Sequence, residues 1–325
     1  MQKKNKNLVT YVITLYNKKR YLLSTIKALV KEGGSHKREY IFIDDGSDDN
    51  TFLILKKLTI RLTGEVKIIR RKNMGASYST NEAISIAKGY WIRLLDGDDI
   101  ISYKSTEKML QLARKKKEEF VYGLIHKKKY LGKPLTNRDY KVESKLEGLK
   151  KFIRNCPANS SCIFLSVKRF VLAGGCDSKF VSPDQMLFLR LFASGRGVFL
   201  NETVALMPLK NFPGSLSHQV RRSRYESILA LIRLCEEYNE IDTRIKKLAF
   251  KRALSRANTY NKFLNNRLFS VYLVLHFLSK FYFPKNYLGL MYKCLKVFTK
   301  DIDRPKNWLT GFEKKIISKS KTRQI

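Results

Sequence analysis

The first hundred residues alternate between two kinds of apolar pattern. Residues 8–15, 40–43, 66–69 and 90–95 are short apolar runs rich in β-branched and aromatic side chains, and each predicts a strand buried on both faces. Between them, residues 21–31, 51–62 and 77–88 carry apolar side chains at helical spacing. Strand and helix in regular alternation predict a parallel sheet with helices covering its faces. Beyond a lysine-rich passage that includes lysines 115–117 and 127–129, residues 161–166 and 198–200 read as strands flanking a helix that begins near Pro183. After about Ser217 the strand pattern ends and the remainder reads as helices. Lys3, Lys4 and Lys6 ahead of the apolar run imitate a secretory signal. Thr10 and Thr14 interrupt that run, and Asn17, Lys18, Lys19 and Arg20 follow it, so a buried first strand is expected instead. The longest uncharged apolar stretch, residues 268–279, has 12 residues, short of the roughly 20 that span a bilayer.

Charge adds a division that the pattern alone does not give. The chain has 65 Lys and Arg against 28 Asp and Glu, a net charge of +37, and residues 243–300 hold 13 of the basic residues and no acid. Two regions are therefore expected, an α/β domain over residues 1–220 and a basic, mostly helical region over 221–325. With 44% hydrophobic and 12% aromatic residues the chain is no disordered polyelectrolyte. The five cysteines, Cys156, Cys162, Cys176, Cys235 and Cys294, form no C-x-x-C pair, which fits packing roles in a reducing cytosol.

The basic region invites comparison with nucleic-acid and membrane binders. No zinc-finger spacing, RNA-binding aromatic block or phosphate loop selects nucleic acid. Leu288, Met291, Leu295, Phe298 and Ile302 fall on one helical face and Lys293, Lys296 and Lys300 on another, preceded by Tyr272, Phe277, Phe281, Tyr282 and Phe283. This pattern predicts helices lying on an anionic membrane surface, where each Lys or Arg adds about 1 kcal/mol. A helical bundle packed on the first domain is the other reading. On either, residues after about Tyr238 are expected to be dispensable for chemistry in the first domain.

In open α/β sheets, ligands bind beyond the carboxyl ends of the strands. Two predicted strands end there in acids: residues 40–43 run into Asp44, Asp45, Gly46, Ser47 and Asp48, and residues 90–95 into Asp96, Gly97, Asp98 and Asp99. In extended chain Asp96 and Asp98 would project to one side, two oxygen ligands for a hard divalent cation, with a nucleoside diphosphate completing the set. Asp and Gly are also ordinary turn formers, and either cluster alone would be read that way. Between them lie Lys72, Asn73, Met74 and Gly75, a loop closing onto a helix, where a glycine permits close backbone approach to a ligand.

Taken in order, Val12-Ile-Thr-Leu-Tyr-Asn17, Ile43-Asp-Asp-Gly-Ser-Asp48, Asn73-Met-Gly75 and Leu95-Asp-Gly-Asp-Asp99 resemble family 2 glycosyltransferases of the GT-A fold, of the bacterial surface-polysaccharide type. The resemblance runs from about residue 8 to 218. It implies a Rossmann-like mixed sheet between helices and a nucleotide-sugar donor. Thr14, Tyr16 and Asp45 would lie around base and ribose, with Asn73 and Gly75 in the donor loop, Asp96 near the ribose and Asp98 on Mg²⁺ or Mn²⁺. A fifth block, residues 174–191, resembles the segment in which relatives carry an acidic pair whose second acid is the catalytic base of inverting enzymes. Pro183 stands at the first position, so the base role passes to Asp184 alone. Ser182, Pro183, Asp184 and Gln185 would equally make a capped helix start. His218 matches a loop histidine that in relatives lies near metal and diphosphate, although a lone histidine is more often a surface residue. Arg221, Arg222 and Arg224 either neutralise phosphates or open a solvated helix.

The expected protein is a cytoplasmic enzyme, peripheral on the inner face of the plasma membrane. It would move a sugar, with inversion, from a nucleoside diphosphate to a hydroxyl of a lipid-linked or surface glycan. A nucleotidyltransferase is the alternative enzyme, disfavoured because Thr14, Leu15, Tyr16 and Asn17 stand where a Gly-rich phosphate loop would follow the first strand. A non-catalytic basic protein that binds nucleic acid or a membrane surface is the alternative outside enzymes.

Overall fold

The computed structural model describes residues 4–127, 140–208, 220–265 and 269–298. Its centre is β1 (Asn5–Leu15), whose Val9, Tyr11, Val12, Ile13 and Leu15 are all buried. The strand pairs in parallel with β2 (Lys37–Asp44) on one side and β4 (Gly89–Asp96) on the other, and β3 (Glu65–Arg70) extends the sheet beyond β2. Helices α1 (Lys19–Lys31), α2 (Thr51–Thr59) and α3 (Ala76–Ile86) provide the crossovers. In α1 the buried Leu22, Thr25, Ile26 and Leu29 recur every three or four residues, the stripe that a helix needs to pack on a sheet.

The other half of the sheet adds antiparallel strands, which gives the mixed sheet that the family resemblance implied. Short strand β5 (Ile100–Ile101) precedes α4 (Ser105–Lys116), β6 (Phe120–Lys127), β7 (Tyr140–Glu143), α5 (Lys145–Arg154), β8 (Ile163–Ser166) and α6 (Val167–Leu172). Helix α7 (Asp184–Ala193) then leads into β9 (Gly197–Met207). The strand order is β3-β2-β1-β4-β8-β6-β9-β5, with β7 on β9. Strand β8 runs antiparallel to both β4 and β6, so the sheet is mixed. The passage read as lysine-rich is α4 and β6. Its Arg114, Lys115 and Lys116 crowd the last turn of α4, where cations favour the helix dipole.

Helices α8 (Val220–Glu237), α9 (Thr243–Asn265), α10 (Val271–Leu278) and α11 (Tyr287–Leu295) follow. Helix α8 packs on α7, and α9 packs on α5 and α8, so their buried side chains continue the core of the sheet domain. Buried Arg256 of α9 donates to the carbonyl of Ser227 at 2.6 Å and lies 3.4 Å from Ile153 O and from Gln185 Oε1, joining four helices. Residues after Tyr238 are thus built into the core, contrary to the expectation that they are dispensable. The apolar face assigned to a membrane is also corrected. Met291 and Cys294 are fully buried, Leu295 and Phe298 nearly so, and the Phe298 ring meets Tyr225 and Tyr260 at 6.1 and 5.6 Å. Ile302 and Lys300 lie outside the described residues. Among the described residues no helix is long and apolar enough to cross a membrane.

One contact controls how α7 sits. Gly148 of α5 faces Phe192 of α7, and a Cβ at that position would overlap the ring. Gly148→Ala is therefore expected to destabilise the protein by about 1–3 kcal/mol through overpacking, read as a lower urea midpoint with unchanged slope. An unchanged midpoint would mean that the two helices separate freely.

Candidate active site

The parallel register brings three strand ends level. Thr14 pairs with Ile43 on one side and with Asp96 on the other, so the acids after β2 and β4 flank the end of β1. Thr14 is half-buried and Tyr16 is 41% exposed just beyond the strand. Asn17 then takes a left-handed turn, its N–H donating to Ser47 Oγ at 2.9 Å and its side-chain oxygen accepting from Asp48 N–H at 2.9 Å. That turn sends Lys18 toward the end of β4, where its Nζ pairs with Asp98 Oδ2 at 2.6 Å.

Asp45 does specific work at the end of β2. Its buried carboxylate accepts from Met74 N–H at 2.9 Å and Gly75 N–H at 2.7 Å, and the Arg71 guanidinium lies 3.3 Å away. The loop with Asn73 is thereby tied to the site. Gly75 has φ +91, in the region that disfavours side chains, and an added Cβ would meet nothing within 4 Å. The loop backbone is open on that side.

The segment after β4 is a turn and not extended chain, since Asp99 N–H donates to Asp96 O at 3.0 Å. Asp96 and Asp98 consequently find different partners. Ser160 Oγ lies 3.0 Å from Asp96 Oδ1 and 3.1 Å from Asp184 Oδ1, and Ser160 N–H donates to the same Asp184 oxygen at 2.9 Å. Asn159 donates to Asp99 at 3.0 Å. The 159–162 segment is itself held by Arg93, a fully buried cation that donates to the carbonyls of Ser161, Ile163 and Val204.

At Asp184 the structure separates the two sequence readings. Helix α7 starts at Asp184 with Pro183 at its N-cap and no capping side chain. Ser182 Oγ donates to Asp184 at 2.9 Å, and Gln185 Nε2 donates to Phe152 O, so the capping box does not form. The Asp184 carboxylate faces Ser160 and Asp96 across the cleft. Its loop is held from the other side by Glu226 of α8, which accepts from Val181 N–H at 2.9 Å and Ser182 N–H at 3.2 Å. Lys18, Asn159, Ser160 and Glu226 escaped the sequence reading because each acts through a partner remote in the chain. Only Lys18, next to the first motif block, carried any local signal.

The carboxylates raise one another's proton affinity. Burial pushes Asp96 well above the usual range, and the charges of Asp99, Asp184 and Asp98 add to it against Lys18. Asp99 is pushed up to about 7 by burial and then by Asp98, with bonds from Ser161 and Asn159 opposing. Burial raises Asp184 despite its bonds to Ser182 and Ser160. Such a crowd of oxygen donors suits a hard cation. Among the described residues, however, no three His, Cys, Asp or Glu are set to hold an ion by themselves, and His218 lies outside the described residues. The five cysteines are free, and burial pushes the Cys162, Cys235 and Cys294 thiols up to about 12, as packing residues require.

A four-stranded parallel half with acids along its carboxyl edge, completed by an antiparallel insertion, is the GT-A architecture of nucleotide-sugar transferases. S. aureus TarS in complex with UDP-GlcNAc superposes with a TM-score of 0.59 at 13% identity, covering 89% of this chain and 82% of that one, a share that reaches into the C-terminal helices. Residues 10–169 match the profile of Glycosyl transferase family 2. That span, 160 of the 325 residues, carries the sequence pattern of glycosyltransferase family 2. Glycosyltransferase GlyG of Streptococcus pneumoniae is 31% identical over 117 residues, which is 36% of this chain and 38% of GlyG. The cholesterol galactosyltransferase of Borreliella burgdorferi is 32% identical over 117 residues, 36% of this chain and 32% of that protein. The chain thus spans less than half the length of both relatives.

If Asp45 orders the 73–75 loop, Asp45→Ala will leave two amides without their acceptor. The Met74 and Gly75 amides should then exchange with solvent roughly five- to hundredfold faster, the equivalent of the 1–3 kcal/mol lost with such bonds. Unchanged exchange at both amides would show that the loop holds itself.

Proposed function

We propose that the protein transfers a sugar from a nucleoside diphosphate sugar to a hydroxyl of a lipid-linked or surface glycan acceptor, with inversion at the anomeric carbon. The observation that carries this reading is the convergence of Asp96 and Asp184 on Ser160 at the carboxyl edge of the parallel strands. Two similar proteins support the donor class and a lipid acceptor: TarS forms a complex with UDP-GlcNAc, and the Borreliella enzyme is a cholesterol galactosyltransferase.

In this reading Thr14, Tyr16 and Asp45 surround the base and ribose, Asn73 and Gly75 close over the donor, and Asp96 meets the ribose. Asp98 would hold Mg²⁺ or Mn²⁺, the ion that offsets charge on the departing diphosphate when bound. Lys18 now neutralises Asp98 and would turn to the donor phosphates when that carboxylate takes another partner. The acceptor oxygen attacks the anomeric carbon from the face opposite the diphosphate. The bond to the diphosphate oxygen breaks with its electron pair, and the acceptor proton passes to Asp184. A carboxylate whose proton affinity is raised by burial is better matched to receive that proton than one in water.

Two variants test the assignment. Asp184→Asn should keep nucleotide-induced thermal stabilisation while transfer falls by roughly a hundred- to ten-thousandfold, the loss typical of a general base. Near-normal turnover would remove Asp184 from the chemistry. Asp98→Ala should stay folded yet lose the part of UDP or GDP stabilisation that depends on Mn²⁺. Metal-dependent stabilisation surviving in that variant would place the ion elsewhere.

A further inference from the structure

Of the two apolar helices at the end of the described chain, α11 buries Met291, Cys294 and Leu295, whereas α10 packs on α9 along one side and buries no residue. Helix α10, Val-Tyr-Leu-Val-Leu-His-Phe-Leu, has no charged residue and no buried one. Its inner side is fixed: Tyr272 and Leu275 pack against the core, Tyr272 OH donates to Lys293 O at 3.0 Å, and Ser270 caps the first turn through Leu273 N–H. Its outer side carries Val271, Val274, Phe277 and Leu278, each half or more exposed, and the turn that follows adds Phe281 at 80% and Tyr282 at 66%. Phe277 and Phe281 stack edge to face at 5.7 Å, and Lys280 lies over the Phe277 ring at 5.4 Å. A contiguous apolar ridge of this kind marks an interaction surface in a soluble protein.

We propose that α10 and the turn after it seat the protein on an anionic membrane surface, with the aromatic ridge in the interfacial layer and the surrounding lysines on the headgroups. Three observations choose this occupant. The ridge is a convex helix and turn, which suits a lipid surface. Exposed Lys280 lies over the Phe277 ring, exposed Lys285 follows in the same turn, and residues 243–300 contain no acid. A second copy would bring the same acid-free, lysine-rich surface against itself in a protein of net charge +37, a repulsive arrangement. Apolar bulk on one side with Lys at its margin, where the ammonium reaches the headgroups, is the composition of interfacial helices. Vesicle binding can be measured without sugar transfer.

The test is co-sedimentation of the full chain with vesicles of phosphatidylcholine alone or mixed with phosphatidylglycerol, at low and high salt. Intact protein should bind only the anionic vesicles, and salt should weaken binding because exposed charges are screened. Phe277→Ser with Phe281→Ser, at positions the fold does not bury, should keep the intact protein's melting temperature and lose roughly tenfold or more in vesicle affinity, as expected when apolar area no longer enters the interface. Lys280→Glu with Lys285→Glu should lose the preference for anionic lipid. Deletion of residues 299–325 should leave binding in place. Indifference of the intact protein to anionic vesicles would overturn the proposal. So would unchanged binding in the double-Ser variant, loss of binding on the deletion alone, or a self-association that those two phenylalanines control.

Discussion

Asp96, Asp98, Asp99 and Asp184 are held around one cleft, and their mutual repulsion is a cost that the surrounding structure must offset. Burial raises Asp96, Asp99 and Asp184 in proton affinity, and like charge adds to it at Asp96 and Asp99. The fold counters with one cation, Lys18 on Asp98, and with neutral donors from the 159–161 segment. Those donors stay in place because buried Arg93 grips the carbonyls around them. A cleft so arranged favours cationic or proton-donating ligands and resists losing its acids to bulk water. On the proposed function, this is the setting in which a diphosphate with its cation and an acceptor hydroxyl would meet the acids.

Much of this was legible in the chain because strand ends announce themselves. Apolar runs of four to eight residues that stop at Asp-Asp-Gly or Asp-Gly-Asp set both the parallel half-sheet and the positions of Asp45, Asp96 and Asp98. Periodicity, by contrast, says which face of a helix is apolar and not what covers it. Leu288, Met291, Leu295 and Phe298 were correctly grouped on one face, yet that face meets α8 and α9, while the ridge left in solvent belongs to α10. Strands β6 and β7 were missed because lysines flank them, although Phe120, Val121 and Tyr122 are wholly buried. Ser160 and Glu226 had no local signature, since each is defined by a partner many residues away.

The C-terminal helices belong to the machinery and not to an appendage. Glu226 of α8 fixes the loop ahead of Asp184, and Arg190 of α7 is bound by Glu237 at 2.7 Å and lies 3.4 Å from Asp177. Arg256 of α9 completes the clamp on α5 and α7. A surface at α10 would be joined to the loop ahead of Asp184 through α9 and α8.

The most direct test of the account is to follow free Mn²⁺ by electron paramagnetic resonance as the protein is titrated with and without UDP or GDP. The described residues bring together no three His, Cys, Asp or Glu set to hold an ion, so the ion should bind tightly only when diphosphate oxygens complete its shell, and Asp98→Ala should abolish that joint binding. Tight Mn²⁺ binding without nucleotide, or nucleotide binding that the ion leaves unchanged, would contradict a diphosphate site at the acidic ends of β2 and β4.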